Sequence, residues 1–133
     1  MTNYPPKILL AFSETFNEDK EQFFNWLLNN GYPELAALSS AIRGSDEALK
    51  WLMQHKYFHL AALDGAIDRQ AKARDWLVKY KFPLLVMLAD AVNEHQAAVN
   101  YFQDNDLQIF LVIAKRIRDF RDRQTFDYHK KRF

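Results

Sequence analysis

The chain has no cysteine, which excludes disulfide frameworks, thiolate metal sites and cysteine nucleophiles. Glycine and proline are sparse, three and four in 133 residues, and valine is scarce beside leucine and alanine. Sheets need glycine in their turns and favour β-branched residues in their interiors, so this composition predicts helices throughout. The five apolar residues from Ile8 to Phe12 are too few for the core of a secretion signal, and no stretch approaches the ~20 apolar residues of a membrane helix. A cytoplasmic location is the expectation. Gly-rich phosphate loops, nucleophile elbows and the HExxH metal motif are missing too, so we expect no enzyme, no cofactor and no metal site.

What is present suits one packed domain: 49% of residues are hydrophobic and 15% aromatic. A formal net charge of +1 conceals an asymmetry. Residues 115–133 hold eight Lys/Arg against three Asp, a net +5, whereas the first 114 residues hold ten basic and fourteen acidic side chains, a net −4.

An internal repeat organises the chain. Trp26, Trp51, Trp76 and Tyr101 stand 25 residues apart, and Leu27, Leu52, Leu77 and Phe102 follow directly. Six residues after the first column come Tyr32, Tyr57, Phe82 and Leu107, then Leu35, Leu60, Leu85 and Phe110, then Leu38, Leu63, Leu88 and Ile113. Two more columns follow: Ala41, Ala66 and Ala91, and Ile42, Ile67, Val92 and Ile117.

Each unit holds two amphipathic stripes. Ala48, Trp51, Leu52 and His55 mark one, and Leu60, Leu63 and Ile67 the other. In one straight helix the nine residues from Trp51 to Leu60 turn the chain by roughly 180°, which would put the stripes on opposite sides. Two helices folded back on each other bury both. Gly31 and Gly44 suit helix C-termini, Pro33 and Pro83 suit first helical positions, and Ser45 with Asp46 and Glu47 suits an N-terminus. Lys56 and Tyr57 must turn without glycine, and the sequence supplies no reason why they can. The predicted helices cover 5–15, 18–30, 33–43, 46–55, 58–69, 71–80, 83–94, 96–104 and 107–122.

The expected fold is thus all-α, a short α-solenoid of four 25-residue helix-turn-helix repeats at about 20–44, 45–69, 70–94 and 95–119. An N-terminal capping helix over 5–16 precedes them, and a basic C-terminal tail over 120–133 follows. Arg116 in the Ala41 column argues that no fifth unit packs there, and Ile8, Leu9, Phe12 and Phe16 can cover the first unit, so the array reads as whole. The tryptophans are expected in the core.

Residues 38–55, "LSSAIRGSDEALKWLMQH", resemble the paired helices of ankyrin repeats, in which a helix of small residues ends near a glycine and leads into a second helix. The Thr-Pro-Leu-His signature is absent, and 25 residues leave no room for the β-hairpin of a unit of about 33. The resemblance implies ankyrin-like helix pairs with tight turns and a concave surface that binds protein.

Two surfaces are candidates for function. The second helix of each unit carries the alanines, so these helices should form the inner radius, where Arg43, Asp64, Asp68, Asp90 and Asn93 would stack into a ridge. The ridge fits a groove for a protein partner; the plainer reading is an ordinary solvated face. In the C-terminal segment Arg118, Arg121, Arg123, Lys130, Lys131 and Arg132 alternate with Phe120, Phe126, Tyr128 and Phe133. Such a pattern suits phosphates and stacked bases, so nucleic-acid binding is the alternative function, and a solubilising end to the last helix is the plainer one. His55 and His59 are four apart, but the turn between them breaks a metal-binding geometry.

Overall fold

The computed structural model describes residues 3–17 and 20–131, with side chains over 3–17 and 21–124. Among the described residues there are nine helices and no strand. They are α1 (Pro6–Glu14), α2 (Lys20–Asn29), α3 (Pro33–Ile42), α4 (Asp46–Gln54), α5 (Phe58–Ile67), α6 (Ala71–Lys79), α7 (Pro83–Val92), α8 (Gln96–Asp104) and α9 (Gln108–Lys131). No helix among the described residues is long and apolar enough to cross a membrane.

Local chemistry sets the boundaries. Prolines open α1, α3 and α7, where the missing N–H has no helical partner to lose. Ser45 caps α4 by accepting from the Ala48 backbone N–H at 3.1 Å, with Asp46 and Glu47 in the first turn against the positive end of the helix dipole.

The helix ends explain how the chain turns without glycine. Gly31, Gly44, Lys56, Arg69, Lys81, Glu94 and Asp106 all have φ between 56° and 105°, the left-handed region. Each sits one residue beyond a helix cap and closes a pair of hydrogen bonds. The Tyr57 N–H donates to the Leu52 carbonyl at 2.8 Å, and the Lys56 N–H to the Met53 carbonyl at 3.2 Å. The same pairing closes α2, α3, α5, α6, α7 and α8. Such caps satisfy carbonyls that a helix end would otherwise leave open, which offsets the ~1–2 kcal/mol a side chain costs in this conformation.

Aromatic rings lock two of these caps. Trp51 stacks on Tyr57 with centroids 6.0 Å apart, and Trp76 on Phe82 with centroids 5.9 Å apart. The ring column and the column six residues later are therefore the two sides of a hydrophobic contact across the turn.

The odd-numbered helices touch one another in the order α1, α3, α5, α7, α9, and α9 returns to α1, which closes the row. Among the described residues the even-numbered helices touch only the odd helices on either side and not each other. Each pairs more extensively with the odd helix before it than with the one after. Gly65 makes one such pairing close: a Cβ there would stand 2.7 Å from the Ala73 Cβ, so only glycine lets α5 and α6 meet at this spacing.

Burial follows this layering. Much of α5 and α7 is buried on several faces, whereas α4 and α6 each have one buried residue, Leu52 and Leu77. Leu27, Leu52, Leu77 and Phe102 are fully shielded and each contributes about 1.5–3 kcal/mol through burial. Trp26, Trp51 and Trp76, expected in the core, are only partly buried and pack against its edge. An outer helix has a narrow contact stripe, and the smaller neighbouring leucine fills it while the indole lies over the turn.

The last helix differs most from expectation. Instead of ending near residue 122 it runs to Lys131. Phe120 is buried against Phe16, centroids 6.2 Å apart. Arg116 donates to Asn17 Oδ1 at 3.2 Å and lies 3.6 Å from Glu14, and Arg123 donates to the Phe16 carbonyl at 2.6 Å. The bulky Arg116 in the alanine column thus reaches back to the first helix and its end.

Candidate functional site

The residues expected to line an inner groove lie on the odd helices or at their C-terminal caps, and most of them are engaged within the protein. Asp90 is buried and receives the Arg74 guanidinium at two points, Nε to Oδ1 at 3.0 Å and Nη2 to Oδ2 at 2.8 Å. That fork ties α6 to α7 and raises the Arg74 pKa. Asn93 caps α7: its Nδ2 donates to the carbonyls of Ala89 and Ile67, and its Oδ1 accepts from Arg69 and Arg121. Asp64 is nearly buried, and burial together with neighbouring Asp68 pushes its carboxyl up to about 6. Asp68 itself is exposed at the end of α5.

The basic segment converges on the same C-terminal ends of the odd helices. Arg118 Nη1 pairs with Glu94 at 3.2 Å, Arg121 Nη1 donates to Asn93, and Arg123 reaches Phe16. The structure therefore joins two sets that the sequence reading kept apart. The side chains of Lys130, Lys131 and Arg132 lie outside the described residues.

His55 and His59 go separate ways. His55 stacks on Trp51 at 3.9 Å, and its Nδ1 lies 2.9 Å from the Trp51 carbonyl. His59 packs between Tyr57 and Phe82, and burial lowers its pKa.

The opposite, outer surface carries apolar material that sequence reasoning passed over. Because the even helices do not meet, grooves run between them with an odd helix as floor. One groove of about 400 Å³ has Ala61 and Ala62 as floor, Leu49 and Met53 on one wall, and Ala73, Trp76 and Lys72 on the other. A counterpart of about 360 Å³ is lined by Val78, Lys81, Pro83, Val86 and Met87, five residues of which four stand 25 positions beyond Met53, Phe58, Ala61 and Ala62. A groove of another kind, of about 350 Å³, lies between odd α1 and even α2 with Leu10, Ala11, Phe23 and Trp26 and with Lys7 and Glu14 as its charges.

Leu28, Met53 and Val78 form an exposed apolar column along these helices, 44%, 49% and 55% accessible. A signal for it stood in the sequence. Leu27-Leu28, Leu52-Met53 and Leu77-Val78 are adjacent pairs, and two neighbours on a narrow outer helix cannot both face the core.

A cleft of about 600 Å³ opens where α9 crosses the ends of α1, α2 and α3. Its lining includes Arg43, the hydroxyls of Thr15, Ser39, Ser40 and Ser45, the amides of Asn25 and Gln124, the rings of Phe24 and Phe120, and Glu21. Arg43 lies over the Phe120 ring, 4.4 Å from its centroid, and donates to the Thr15 carbonyl at 3.1 Å. Burial first, and then the nearby Arg123, lower its pKa. Below it Ser39 donates to Thr15 Oγ1 at 2.7 Å, and Thr15 to the Phe12 carbonyl at 2.6 Å.

No protein-family model, curated protein or solved structure matches the chain.

Proposed function

We propose that the chain is a non-catalytic helical-repeat interaction module, built of 25-residue helix-turn-helix units, that binds a helical segment of a protein partner in its outer grooves. The repeat reading rests on the left-handed caps: residues 31, 56, 81 and 106 stand 25 apart, as do 44, 69 and 94. The more extensive contact of each odd helix with the even helix after it favours units of the type α3 with α4 and α5 with α6, the arrangement of ankyrin-like pairs.

The observation that carries the binding reading is the exposed column of Leu28, Met53 and Val78 beside apolar grooves. Large apolar side chains presented in register on one face mark interaction surfaces, and a groove between two helices suits a third. Lys72 and Lys81 are the charged residues described in the lining of the two equivalent grooves, so the complementary occupant is an amphipathic helix with acidic flanks. The inner residues Asp64, Asp90 and Asn93 support a partner less well, being buried or engaged.

The test is site-specific photo-crosslinking in cells, with a benzophenone amino acid at position 53, at 78, or at the control position 68. Adducts at 53 and 78 but not at 68, mapped to a partner helix with acidic residues beside its apolar face, are the expected result. Equal crosslinking at position 68, or adducts only between copies of this chain, would overturn the assignment.

A further inference from the structure

The caps that close the even helices carry a second pattern, in the residue just before the left-handed one. Asn30 and Asn105 stand there after α2 and α8, and each donates its side-chain amide to the carbonyl four residues back, Trp26 at 2.7 Å and Tyr101 at 2.8 Å. At the same position after α4 and α6 stand rings, His55 and Tyr80, both exposed. An asparagine suffices to finish such a helix end, so the cap alone does not account for the rings.

Each ring ends a stack. His55 lies on Trp51 with centroids 3.9 Å and planes 19° apart, and Trp51 is within 6° of parallel to Tyr57. At the positions 25 residues on, Tyr80 lies on Trp76 at 4.6 Å, and Trp76 is within 7° of parallel to Phe82. His59 joins the two stacks, 6.3 Å from Tyr57 and 5.3 Å from Phe82. The rings thus run without a break across the ends of α4 and α6, none of them buried, with His55 and Tyr80 as the two outermost.

Positive charge accompanies them. Lys56 and Lys81 directly follow the outermost rings, and the Lys79 ammonium lies 5.4 Å from the Tyr80 centroid. All three lysines are exposed, and among the described residues none of them is in an ion pair. The positions equivalent to Lys79 and Lys81 are Asn29 and Gly31 around the end of α2, and Asp104 and Asp106 around the end of α8. Rings and cations therefore coincide, and both stop where the acidic pair begins.

We propose that this row binds single-stranded nucleic acid, with bases stacked on His55 and Tyr80 and phosphates on Lys56, Lys79 and Lys81. Bases use the rings and phosphates the lysines, whatever the sequence of the strand. An acidic peptide would leave the rings unused, and a proline-rich segment, which packs on aromatic grooves, would leave the lysines unused. The platform borders the outer grooves and shares Trp76 and Lys81 with their linings, but His55 and Tyr80 line neither, so variants at these two rings test it alone.

Fluorescence anisotropy of the full chain with labelled oligothymidine of about twelve nucleotides at low salt is the test. Saturable binding is expected, at least about tenfold tighter than to a DNA duplex or a labelled proline-rich peptide. Three lysines predict a logarithmic salt slope of about −2. His55→Asn and Tyr80→Asn install the residue that ends α2 and α8, which keeps the cap and removes the ring; each weakens binding about tenfold. Tyr80→Phe retains the affinity, and Lys56→Gln with Lys81→Gln lowers both affinity and salt slope. Absence of saturable binding, unaltered affinity in both asparagine variants, tighter binding of the proline-rich peptide, or loss only on Lys130→Gln with Lys131→Gln overturns the proposal. If circular dichroism shows an asparagine variant unfolded, the exposed lysine pair decides, and unchanged affinity there overturns it.

Discussion

Asp64 shows how a single side chain tells on the whole. Burial and Asp68 raise its carboxyl to about 6, above the ordinary value of about 4. The folded chain therefore holds a proton that the unfolded chain releases across that interval. Below about pH 4 the carboxyl is neutral in both states and costs nothing; as pH rises from about 4 to 6 the charge must be carried in a poorly hydrated place, and stability is lost. We expect Asp64→Asn to match the wild type in urea unfolding at pH 4 and to exceed it progressively up to pH 7. A gap that does not change with pH would show that Asp64 titrates normally when folded. Leu52 and Trp51 make a related point: the sequence ranks the larger ring as the core residue, but area is buried by position, and the leucine occupies the contact stripe.

Elements are joined by caps, and the caps divide into glycine and non-glycine sets. Gly44 has φ of 105°, with open space around its Cβ position, so Gly44→Ala costs only the backbone conformation, about 1–2 kcal/mol. Lys56→Gly and Lys81→Gly remove that strain and add a little chain entropy to unfolding, for a net gain of about 0.5–1 kcal/mol each. Chemical denaturation of the three variants checks the signs, and a neutral Gly44→Ala would contradict the account. Helix positions were legible because the apolar stripes repeat at helical spacing and Pro33, Pro83, Gly44 and Ser45 punctuate them. The turns at Lys56 and Lys81 were not, because their left-handed geometry is held by two backbone hydrogen bonds and a ring pair, features no single residue type announces. The same holds for the cleft: Arg43 and Ser45 come from one turn, but Phe120 arrives from α9, and periodicity over 25 residues says nothing of contacts at about three times that distance.

Across the whole molecule the decisive feature is the return of α9 to α1. Among the described residues the even-numbered helices meet only their flanking neighbours, so cohesion of the fold depends on the odd-numbered row, which α9 closes against α1. Ending the chain after Asp119 removes the buried Phe120 and the Arg123 bond to Phe16, and we expect a loss of about 3–5 kcal/mol from the ring alone. An unfolding midpoint equal to that of the full chain would show that the closure is incidental. The bonds concerned join residues 99 and 107 positions apart, Asn17 to Arg116 and Phe16 to Arg123. Every neighbour contact can form as soon as its two helices exist, but this one waits for nearly the entire chain to be made. Assembly on the ribosome should thus proceed quickly through the middle and finish with one slow stitch, leaving the first helix half-dressed until the final one emerges.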